Sequence, residues 1–482
     1  MGIKTKTFHV ISLGCAKNTV DSQSMAQLMA RSGFALQEDA RKAEVIIVNT
    51  CGFIGPAKEE SLQVLGEMAA SKRRGQLLIA AGCLTQRYGA EVARQVPGID
   101  GILGTRRWMD IVDVVGQLRR GPHPEPLYHL PAAPTVGRDE GETLRVAVAG
   151  TSAYLKIADG CRRPCAFCAI PLIKGTAVSR PLGAILDEAR ALQDMGVREI
   201  VLIAQDTTDY GHDLGMKDGL AELLEGLITA APDVDWIRVM YAYPGYVTDR
   251  MIDVMSSQPQ ILPYLDMPLQ HAHPMTLRRM RRPANMDWVH RTLEKMRLAM
   301  PDLALRTTFI VGYPGESEEE FQALLDFVKE VRFDRVGTFQ FSFEPGTSSE
   351  PLGDPLPAAL KQERYDRLME LQQGISLEKN QAWVGKTLDV LIEGQGQIEA
   401  EGGASDGSRA DWQSAPTSPS PISLGRSFRD APEIDGMVLI EGEIPVGEIV
   451  PVRITGAMTY DLTGTVETGK SVINIREFRE LR

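Results

Sequence analysis

The motif C-x3-C-x2-C occurs once in this 482-residue chain, as Cys161-Arg-Arg-Pro-Cys165-Ala-Phe-Cys168. Its three thiols lie in one short loop, directly after the strand-like segment AYLKIA. Thiolates are the usual ligands of the four irons of a [4Fe–4S] cluster, so three cysteines would leave one iron open. A structural zinc site would need a fourth Cys or His nearby, and neither follows before His212. The spacing therefore favours a [4Fe–4S] cluster with one open iron over zinc or three unrelated buried thiols.

Alternating strand-like and helix-like segments surround this motif, from residue 146 to residue 380. Amphipathic helices separate the strands, and this alternation predicts βαβ units with a parallel sheet. Six such units predict an open or partial (βα)6 barrel, whose chemistry would lie at the carboxyl ends of its strands. A long charged helix, from Pro357 to about Asn380, would lead out of this domain. The strand candidates are AYLKIA, EIVLIAQ, WIRVMYA, LPYLDM, ALRTTFIV and VGTFQF.

Residues 1–120 show a second α/β pattern, in which the strand candidates FHVISLG, EVIIVNT and QLLIAAG alternate with helices. The pattern predicts an N-terminal Rossmann-like parallel sheet. Cys15, Cys51 and Cys83 each come directly after one of these strands. Because the carboxyl ends of parallel strands share one edge, where open α/β sheets bind ligands, we expect the three thiols to converge.

Changes of composition mark the remaining boundaries. Residues 121–145 are rich in proline and lack helical periodicity, so we interpret them as a linker. Residues 381–482 contain short alternating strands separated by glycines, which predicts a small β-barrel. Residues 395–421 contain almost no apolar side chains, and we expect them to form a disordered insertion between two barrel strands.

The composition excludes several classes of protein. Hydrophobic residues make up 43% and charged residues 24% of the chain, as is ordinary for a globular protein. No apolar run approaches the roughly 18 residues of a membrane span, and the N-terminus lacks a secretory apolar region. The six cysteines all lie in the first third or so of the chain, unlike those of a secreted disulfide scaffold. We therefore expect a soluble, cytoplasmic protein with no membrane partner. The net charge of −12 also argues against a chain built to bind a phosphate backbone.

The C-x3-C-x2-C motif, with an aromatic residue before its last cysteine and at the start of a βα barrel, resembles that of the radical S-adenosylmethionine superfamily. The resemblance implies that the open iron chelates S-adenosylmethionine and that one electron through the cluster yields a 5′-deoxyadenosyl radical. No side chain is then assigned as catalytic, because the cofactor supplies the radical and the protein orients it and excludes water. The residues that the resemblance assigns to cofactor binding are Phe167, Gln205, Asp206 and Gly312.

The N-terminal segments narrow this resemblance. SLGCAKNTVDSQ, VNTCGFI and AAGCLTQRY are similar to the three cysteine motifs of the methylthiotransferase family, and the similarity extends to a C-terminal barrel of the TRAM type. It implies that Cys15, Cys51 and Cys83 hold a second [4Fe–4S] cluster, whose open iron binds the sulfur to be inserted. It also implies two molecules of S-adenosylmethionine per turnover, one as methyl donor and one as radical source. Gln23 and Val178 depart from the family's usual glutamate and arginine, but both lie outside the ligand set.

The substrate distinguishes two branches of this family, which modify either an adenosine of transfer RNA or the β-carbon of an aspartate in small-subunit ribosomal protein S12. Residues 381–482 contain nine Lys and Arg and sixteen Asp and Glu, whereas a barrel that binds RNA should be basic. The segment GRSFRDAPEIDG, at residues 425–436, is similar to the ribosomal-protein branch. We therefore expect the substrate to be the ribosomal protein, free or on the ribosome, and no direct nucleic-acid substrate. An external electron donor and a sulfur source would be the other partners.

Two other functions are alternatives. The first is the transfer-RNA methylthiotransferase, which the cysteine motifs alone do not exclude. The second is a non-catalytic iron–sulfur electron carrier, which would gain nothing from two three-thiolate sites with exchangeable irons and would supply four thiolates per cluster.

Three further features of the sequence are less specific. His271, at a barrel strand end, could carry a proton or cap a helix. Residues 464–471 (GTVETGKS) match the P-loop pattern, but only eleven residues follow, so we interpret them as a turn between barrel strands and not as an ATP site. The densest basic cluster suits a solvated helix face and an acidic partner equally well, and it consists of Arg278, Arg279, Arg281 and Arg282.

Overall fold

The computed structural model describes residues 6–121, 123–133, 135–136, 143–398 and 420–467. In sequence order, these residues form an open parallel sheet, a larger and mostly parallel sheet, and a closed β-barrel. The predicted α/β architecture is therefore confirmed. None of the helices in the described ranges is long and apolar enough to cross a membrane.

The first sheet is built from six strands and four helices. Its elements are β1 (Lys6–Ser12), α1 (Ala16–Arg31), β2 (Phe34–Leu36), β3 (Val45–Thr50), α2 (Gly55–Ser71), β4 (Leu77–Gly82), α3 (Cys83–Gln95), β5 (Gly101–Gly104), α4 (Ile111–Leu118) and β6 (Leu127–His129). The strand order is β2-β1-β3-β4-β5-β6, and every neighbouring pair is parallel. Strand β3 is buried along its whole length, as expected for a central parallel strand covered on both faces.

Strand β6 lies within the segment that was predicted to be a linker. It pairs with β5, from Gly101 opposite Leu127 to Leu103 opposite His129. The strand is only three residues long and lies between Pro126 and Pro131, so its sequence shows no alternation that would reveal it. Residues 137–142 of the same segment lie outside the described part of the chain.

The second sheet carries the C-x3-C-x2-C loop. The elements of this domain are β7 (Val146–Ala149), β8 (Ser152–Lys156), β9 (Ala158–Asp159), α5 (Ile170–Lys174), β10 (Val178–Ser179), α6 (Leu182–Asp194), β11 (Glu199–Ile203), α7 (Gly219–Ala230), β12 (Trp236–Val239), α8 (Asp249–Ser257), β13 (Ile261–Asp266), α9 (Pro274–Arg279), α10 (Met286–Ala299), β14 (Ala304–Val311), α11 (Glu318–Val331), β15 (Arg335–Gln340) and α12 (Ala358–Gln381). Strands β9 and β10 pair with each other in a separate two-stranded antiparallel sheet, and the other strands form the main sheet. The order is β15-β14-β13-β12-β11-β8-β7, with β7 antiparallel to β8 and the other neighbours parallel. Six parallel strands thus form the open barrel that the sequence predicted.

The two faces of this sheet differ in chemistry. One face packs against the helices through a continuous apolar core that includes Leu155, Leu202 and Phe309. The other face carries buried charges, among them Lys156 and Arg238, beside aromatic residues. Buried charges need partners, so this face forms ion pairs, such as those of Lys156 with Asp21 and of Arg238 with Glu199.

The last region is a closed barrel with the strand order β16-β17-β18-β20-β19. Its strands are β16 (Thr387–Ile398), β17 (Ser420–Ser427), β18 (Val438–Glu441), β19 (Ile449–Ala457) and β20 (Leu462–Val466). The predicted disordered insertion, residues 395–421, falls mainly on residues 399–419, which lie outside the described part. The two ends of that segment are not loop, because Gln395–Ile398 pairs with Ser420–Ser423. The P-loop pattern begins inside β20, and its last residues, 468–471, lie outside the described ranges.

Candidate functional site

The first three cysteines lie at the carboxyl edge of the first sheet. Cys15 directly precedes α1, Cys51 follows β3, and Cys83 is the first residue of α3, directly after β4. Since β1, β3 and β4 are adjacent parallel strands, their ends meet at this edge. Gly14 has a φ of +91°, and a Cβ there would lie 2.9 Å from Cys51 Sγ, so only glycine allows this approach of the two loops. Cys83 Sγ lies 3.7 Å from Asn18 Oδ1, at the start of the same helix α1.

These three thiols act on one another electrostatically. Burial raises the pKa of the Cys83 thiol to about 12, and it also raises the pKa of Cys51. Negative charge on Cys15 acts on both thiols in the same direction, whereas Lys174 opposes the shift at Cys83. Without a metal the buried thiols are therefore protonated at neutral pH, and a metal that takes thiolates would displace their protons.

The second triad lies in the loop between β9 and α5. The Cys161 amide donates to the carbonyl of Gly175 (3.1 Å), and the Cys168 amide donates to that of Cys165 (3.2 Å). The Arg163 amide points to Cys161 Sγ at 3.4 Å. Burial raises the pKa of Cys161 to about 11 and that of Cys168 to about 12. The backbone thus holds three thiols in one loop, and burial disfavours the thiolate forms of Cys161 and Cys168 unless a positive partner such as a metal binds them.

Arginine and tyrosine side chains line this loop. Tyr243 Oη lies 3.8 Å from Cys165 Sγ, and Arg282 Nη1 donates to the same sulfur at 3.5 Å. The guanidinium groups of Arg282 and Arg163 lie 4.3 and 4.7 Å from the centre of the Tyr243 ring. Sequence reasoning did not single out Tyr243 or Arg163, because their partners are distant in the chain. Arg282 belongs to the basic cluster noted in the sequence. Its contact with Cys165 shows that Arg282 is not simply part of a solvated helix face.

Gln205 and Asp206 follow β11 at the same edge of the sheet. Gln205 Oε1 is buried and has no hydrogen-bond partner among the described residues. Asp206 is engaged: its carboxylate accepts from Arg163 Nε at 2.5 Å and from the Thr208 hydroxyl at 2.6 Å. Gln205 therefore keeps a buried acceptor for a ligand, whereas Asp206 orients an arginine. Their assignment to S-adenosylmethionine stays a prediction.

Phe167 and Gly312 each pack against other residues of the protein. Phe167 packs against a small aromatic cluster that includes Tyr313 and Phe341. Gly312 has a φ of +72°, and a Cβ at this position would lie 2.5 Å from Lys361 Cγ. The left-handed backbone and the contact with helix α12 account for glycine at this position without a ligand. The cofactor-binding role of both residues stays a prediction.

Lys17 and Tyr241 are in contact, and each is two residues away from a residue at one of the triads: Lys17 from Cys15, and Tyr241 from Tyr243. Lys17 Nζ lies 3.3 Å from the centre of the Tyr241 ring. Burial lowers the pKa of Lys17, and the negative charges of Cys15 and Asp266 partly offset that effect. Tyr241 follows β12 and has a φ of +61°, which is rare for a residue other than glycine. The sequence offers no signal for such a backbone conformation.

A buried ionic network joins the first sheet to the second. Asp21, on α1, forms ion pairs with Lys156 and with Lys174 (3.1 Å). Both lysines also contact Asp159, at 3.2 and 2.9 Å, and Arg145 contacts the same carboxylate at 2.7 Å. Burial favours a higher pKa for Asp159, but Lys156, Lys174 and Arg145 hold it well below its ordinary value. The network ties the helix that begins beside Cys15 to the strand that leads to Cys161.

Gln23 strengthens the same junction. Its side-chain amide accepts from the Val148 N–H at 3.0 Å and donates to the Val148 carbonyl at 3.2 Å. Glutamate at this position could accept the first bond, but only an amide can make both.

His271 and two further arginines of the basic cluster, Arg279 and Arg281, have partners within the protein. His271 is fully buried; its Nδ1 accepts from the His273 amide at 2.9 Å, and its Nε2 lies 3.4 Å from Glu316. Arg279 pairs with Glu320. Arg281 donates to the Ser348 hydroxyl at 3.0 Å. His271 is buried and already has partners on both ring nitrogens, so its surroundings do not support the role of proton carrier.

The donor sets fit iron–sulfur clusters. Within the part of the chain that the structure describes, no three Cys, His, Asp or Glu side chains converge tightly enough to hold a single metal ion. A [4Fe–4S] cluster binds each thiolate through a different iron, so its ligands can lie farther apart than those of one ion. Each triad is backed by a cation, Lys174 near Cys83 and Arg282 at Cys165, which suits a cluster with negative charge.

An open parallel barrel with a C-x3-C-x2-C loop at its carboxyl edge defines a radical S-adenosylmethionine enzyme. The model of the Radical SAM superfamily matches residues 155–328, that of an uncharacterized protein family, UPF0004, matches residues 7–104, and that of the TRAM domain matches residues 419–466. The chain is also similar in fold to the radical S-adenosylmethionine methyltransferase TsrM from Kitasatospora setae. That likeness has a TM-score of 0.53 at 12% identity and covers 83% of this chain and 82% of the other.

Two relatives identify the family within the radical S-adenosylmethionine enzymes. The chain is 49% identical to the ribosomal protein uS12 methylthiotransferase RimO of Roseiflexus sp. (strain RS-1), over 95% of this chain and 96% of that protein. It is 50% identical to the protein of the same name from Chloroflexus aurantiacus, over 95% of this chain and 99% of that protein. The chain therefore belongs to the ribosomal protein uS12 methylthiotransferase family of radical S-adenosylmethionine enzymes. The predicted family, the predicted class of enzyme and the predicted cofactors, S-adenosylmethionine and [4Fe–4S], are confirmed.

Proposed function

We propose that this protein attaches a methylthio group to the β-carbon of an aspartate in ribosomal protein uS12. The observation that carries the proposal is the pair of three-cysteine sites, each in loops that follow strands of a parallel sheet, in a chain whose relatives carry this activity in their names. An electron carrier needs only one cluster with four protein ligands, and it has no use for two incomplete sites.

The six cysteines divide between two clusters. Cys161, Cys165 and Cys168 would hold one [4Fe–4S] cluster, and the second would be held by the other three, Cys15, Cys51 and Cys83. When bound, these clusters and S-adenosylmethionine supply the substrate radical and the methylthio sulfur. An external reductant and a sulfur source must reach the protein, which we place in the cytoplasm.

The chain's own residues shape the space around the radical site. Gln205 offers a buried acceptor to the amino group of S-adenosylmethionine. Arg163, held by Asp206, stacks on Tyr243 and, at 3.6 Å, on Tyr246, and so closes one side of the site. Aromatic and guanidinium planes that pack in this way exclude water from a reactive intermediate. We assign cofactor contact to Phe167 and Gly312 on the family resemblance alone.

The described part of the C-terminal barrel supports a basic protein partner. Within residues 381–398 and 420–467, two basic residues are exposed, Lys386 and Arg453. Six acidic residues are exposed in the same ranges: Asp389, Glu393, Glu433, Glu441, Glu443 and Glu448. Phosphate neutralisation supplies much of the affinity for RNA, so this surface disfavours transfer RNA and favours a basic ribosomal protein. We place the functional domains at residues 1–120, 146–380 and 381–482.

A competition experiment tests this function. Anaerobically reconstituted enzyme is offered purified uS12 and unmodified transfer RNA in one reaction with S-adenosylmethionine, a reductant and sulfide. We expect methylthio-aspartate in uS12, detected by mass spectrometry, and no methylthio-adenosine. The matched control is the chain with Cys161, Cys165 and Cys168 replaced by alanine, which should form neither product. Methylthio-adenosine without methylthio-aspartate would overturn the proposal.

A further inference from the structure

Lys17, two residues after Cys15, is a cation without a carboxylate partner among the described residues. No Asp or Glu oxygen of these residues lies within 4.0 Å of its Nζ, which instead lies over the Tyr241 ring. Other cations around this space are paired with carboxylates: Lys174 with Asp159 and Asp21, Arg163 with Asp206, and Arg306 with Asp266. A half-buried ammonium left unpaired in a region of paired charges is a binding group for an anion.

Tyr241 holds this ammonium in a fixed place. Two hydrogen bonds hold its left-handed backbone. The Tyr241 amide donates to Asp266 Oδ2 at 3.3 Å, and the Tyr241 carbonyl accepts from the Thr207 amide at 3.1 Å. Residues at the strand ends on both sides of β12 thus hold Tyr241 in a backbone conformation that is unfavourable for a residue other than glycine. Strain of this kind persists where the surroundings impose it, and it is concentrated at functional sites.

The Lys17–Tyr241 pair is connected to both cysteine triads. Lys17 lies in the first turn of α1, two residues after Cys15 of the first triad, and its ammonium rests on the ring of Tyr241. Two residues further along the chain, Tyr243 Oη lies 3.8 Å from Cys165 of the second triad. A group bound at Lys17 therefore lies between the site that would hold the sulfur and the site that would hold the radical source.

Building on the proposed function, we propose that the Lys17 ammonium, held on the Tyr241 ring, binds the side-chain carboxylate of the substrate aspartate. The carboxylate carbon is bonded directly to the β-carbon, so anchoring the carboxylate fixes the carbon that loses hydrogen and gains sulfur. The same contact selects aspartate, because the neutral amide of asparagine forms no charged pair with an ammonium. Lys17 is then a specificity-determining residue for the methylthio transfer.

The test measures how tightly reconstituted enzyme binds uS12 and a uS12 variant in which the target aspartate is replaced by asparagine. Wild-type enzyme should bind the aspartate form roughly 10- to 100-fold more tightly, as a charge-assisted hydrogen bond allows. Lys17→Met should reduce this ratio to about one, and Lys17→Arg should keep most of it. Lys58→Met is the matched control. Lys58 also lies over a tyrosine ring, at 4.3 Å from the centre of Tyr88, but it already pairs with Glu91, so its loss should leave the ratio unchanged.

Iron content and product formation separate the outcomes. Lys17→Met should keep the wild-type iron content; a loss of half the iron would show that Lys17 supports the first cluster and would overturn the inference. Equal weakening of both uS12 forms would assign Lys17 to an anionic sulfur ligand instead, and it would also overturn the inference. If wild-type enzyme modifies uS12 while Lys17→Met keeps the full aspartate preference, only this inference fails. If wild-type enzyme modifies no uS12, the proposed function itself fails.

Discussion

Asp21→Asn should uncouple the two halves of the reaction site. Asp21 is 1% exposed, and its partners Lys156 and Lys174 are 0% and 3% exposed in their side chains. In the wild type, three cations of this network (Lys156, Lys174 and Arg145) share two carboxylates, Asp21 and Asp159. The substitution removes one of the two carboxylates that these buried cations share, while the asparagine keeps the shape of the side chain.

The expected loss of stability follows from the burial of these charged side chains. Breaking a buried ion pair by removing one partner destabilises by about 3–5 kcal/mol, because the remaining charge is uncompensated. Lys156 limits the cost: burial already lowers its pKa despite Asp159 and Asp21, so loss of its proton can relieve the excess charge. We therefore expect the lower end of this range, with the loss confined to the junction of α1 with β8.

Hydrogen exchange of the reconstituted enzyme measures this loss locally. Amide protection in α1 and β8 should fall by on the order of 100-fold, while β14 and β15, which lie far from Asp21 in the sheet order, should keep their protection. In the same preparations, 5′-deoxyadenosine should still form. The amount of methylthio-aspartate formed for each 5′-deoxyadenosine should fall.

The control for Asp21→Asn is Asp249→Asn. Asp249 is 79% exposed in its side chain and pairs with Lys295, and exposed pairs contribute about 0–1 kcal/mol. If Asp21→Asn leaves both the exchange of α1 and the coupling ratio at the level of Asp249→Asn, the network does not hold the two cluster sites together.

The remaining predictions concern the clusters, acid stability and the acidic barrel surface. Anaerobic reconstitution should give about eight irons per chain, and about four when either cysteine triad is replaced by alanine; a wild-type chain that saturates at about four irons would contradict two clusters. Alanine at Cys161, Cys165 and Cys168 should abolish 5′-deoxyadenosine formation, whereas alanine at Cys15, Cys51 and Cys83 should stop only sulfur insertion; loss of both products in the second variant, with its radical cluster loaded, would refute this division. Burial favours a higher pKa for Glu199, but Arg238 and Arg426 lower it to about 2 from 4.5. The stability that Glu199 contributes is therefore present above pH 4.5 and lost as the pH falls toward 2, and Glu199→Gln should remove this acid-dependent step from the hydrogen exchange of β17. Combined Glu441→Lys, Glu443→Lys and Glu448→Lys should slow association with uS12 and reduce its salt dependence, as stopped-flow binding would measure.

The sheets and the cysteine sites could be predicted because their signals are local. Each buried parallel strand is a short apolar run that ends in a polar or cysteine-bearing loop, as in EVIIVNTC at residues 44–51. Parallel strands bring such loops to one edge whatever the helices between them contain, so Cys15, Cys51 and Cys83 could be placed together without knowledge of any contact.

The features that escaped prediction depend on distant partners. Strand β17 (SPISLGRS) contains a proline and a glycine and follows a polar segment, so pairing with β16 and β18, not propensity, makes it a strand. The clamp on Tyr241 needs Thr207 and Asp266, which come from neighbouring strand ends. The assignment of Gly312 to the cofactor rests on the family resemblance, whereas the close approach of Lys361 already explains why a glycine stands at this position.

Buried contacts fix the C-terminal barrel to the central barrel, and this decides how its role can be tested. Arg426 pairs with Glu199 at 2.6 Å, Asp430 with Arg335 at 2.5 Å, and Asp435 accepts from the Tyr264 hydroxyl at 2.7 Å. Deletion of residues 381–482 would leave Glu199, Arg335 and Tyr264 of the central barrel without these partners, at a cost of about 3–5 kcal/mol for a broken buried charge pair. Loss of activity after such a deletion would therefore report damage to the central barrel as well as loss of substrate binding. The charge reversals at Glu441, Glu443 and Glu448 change only exposed side chains, so they test recruitment of the basic protein while the buried contacts stay intact.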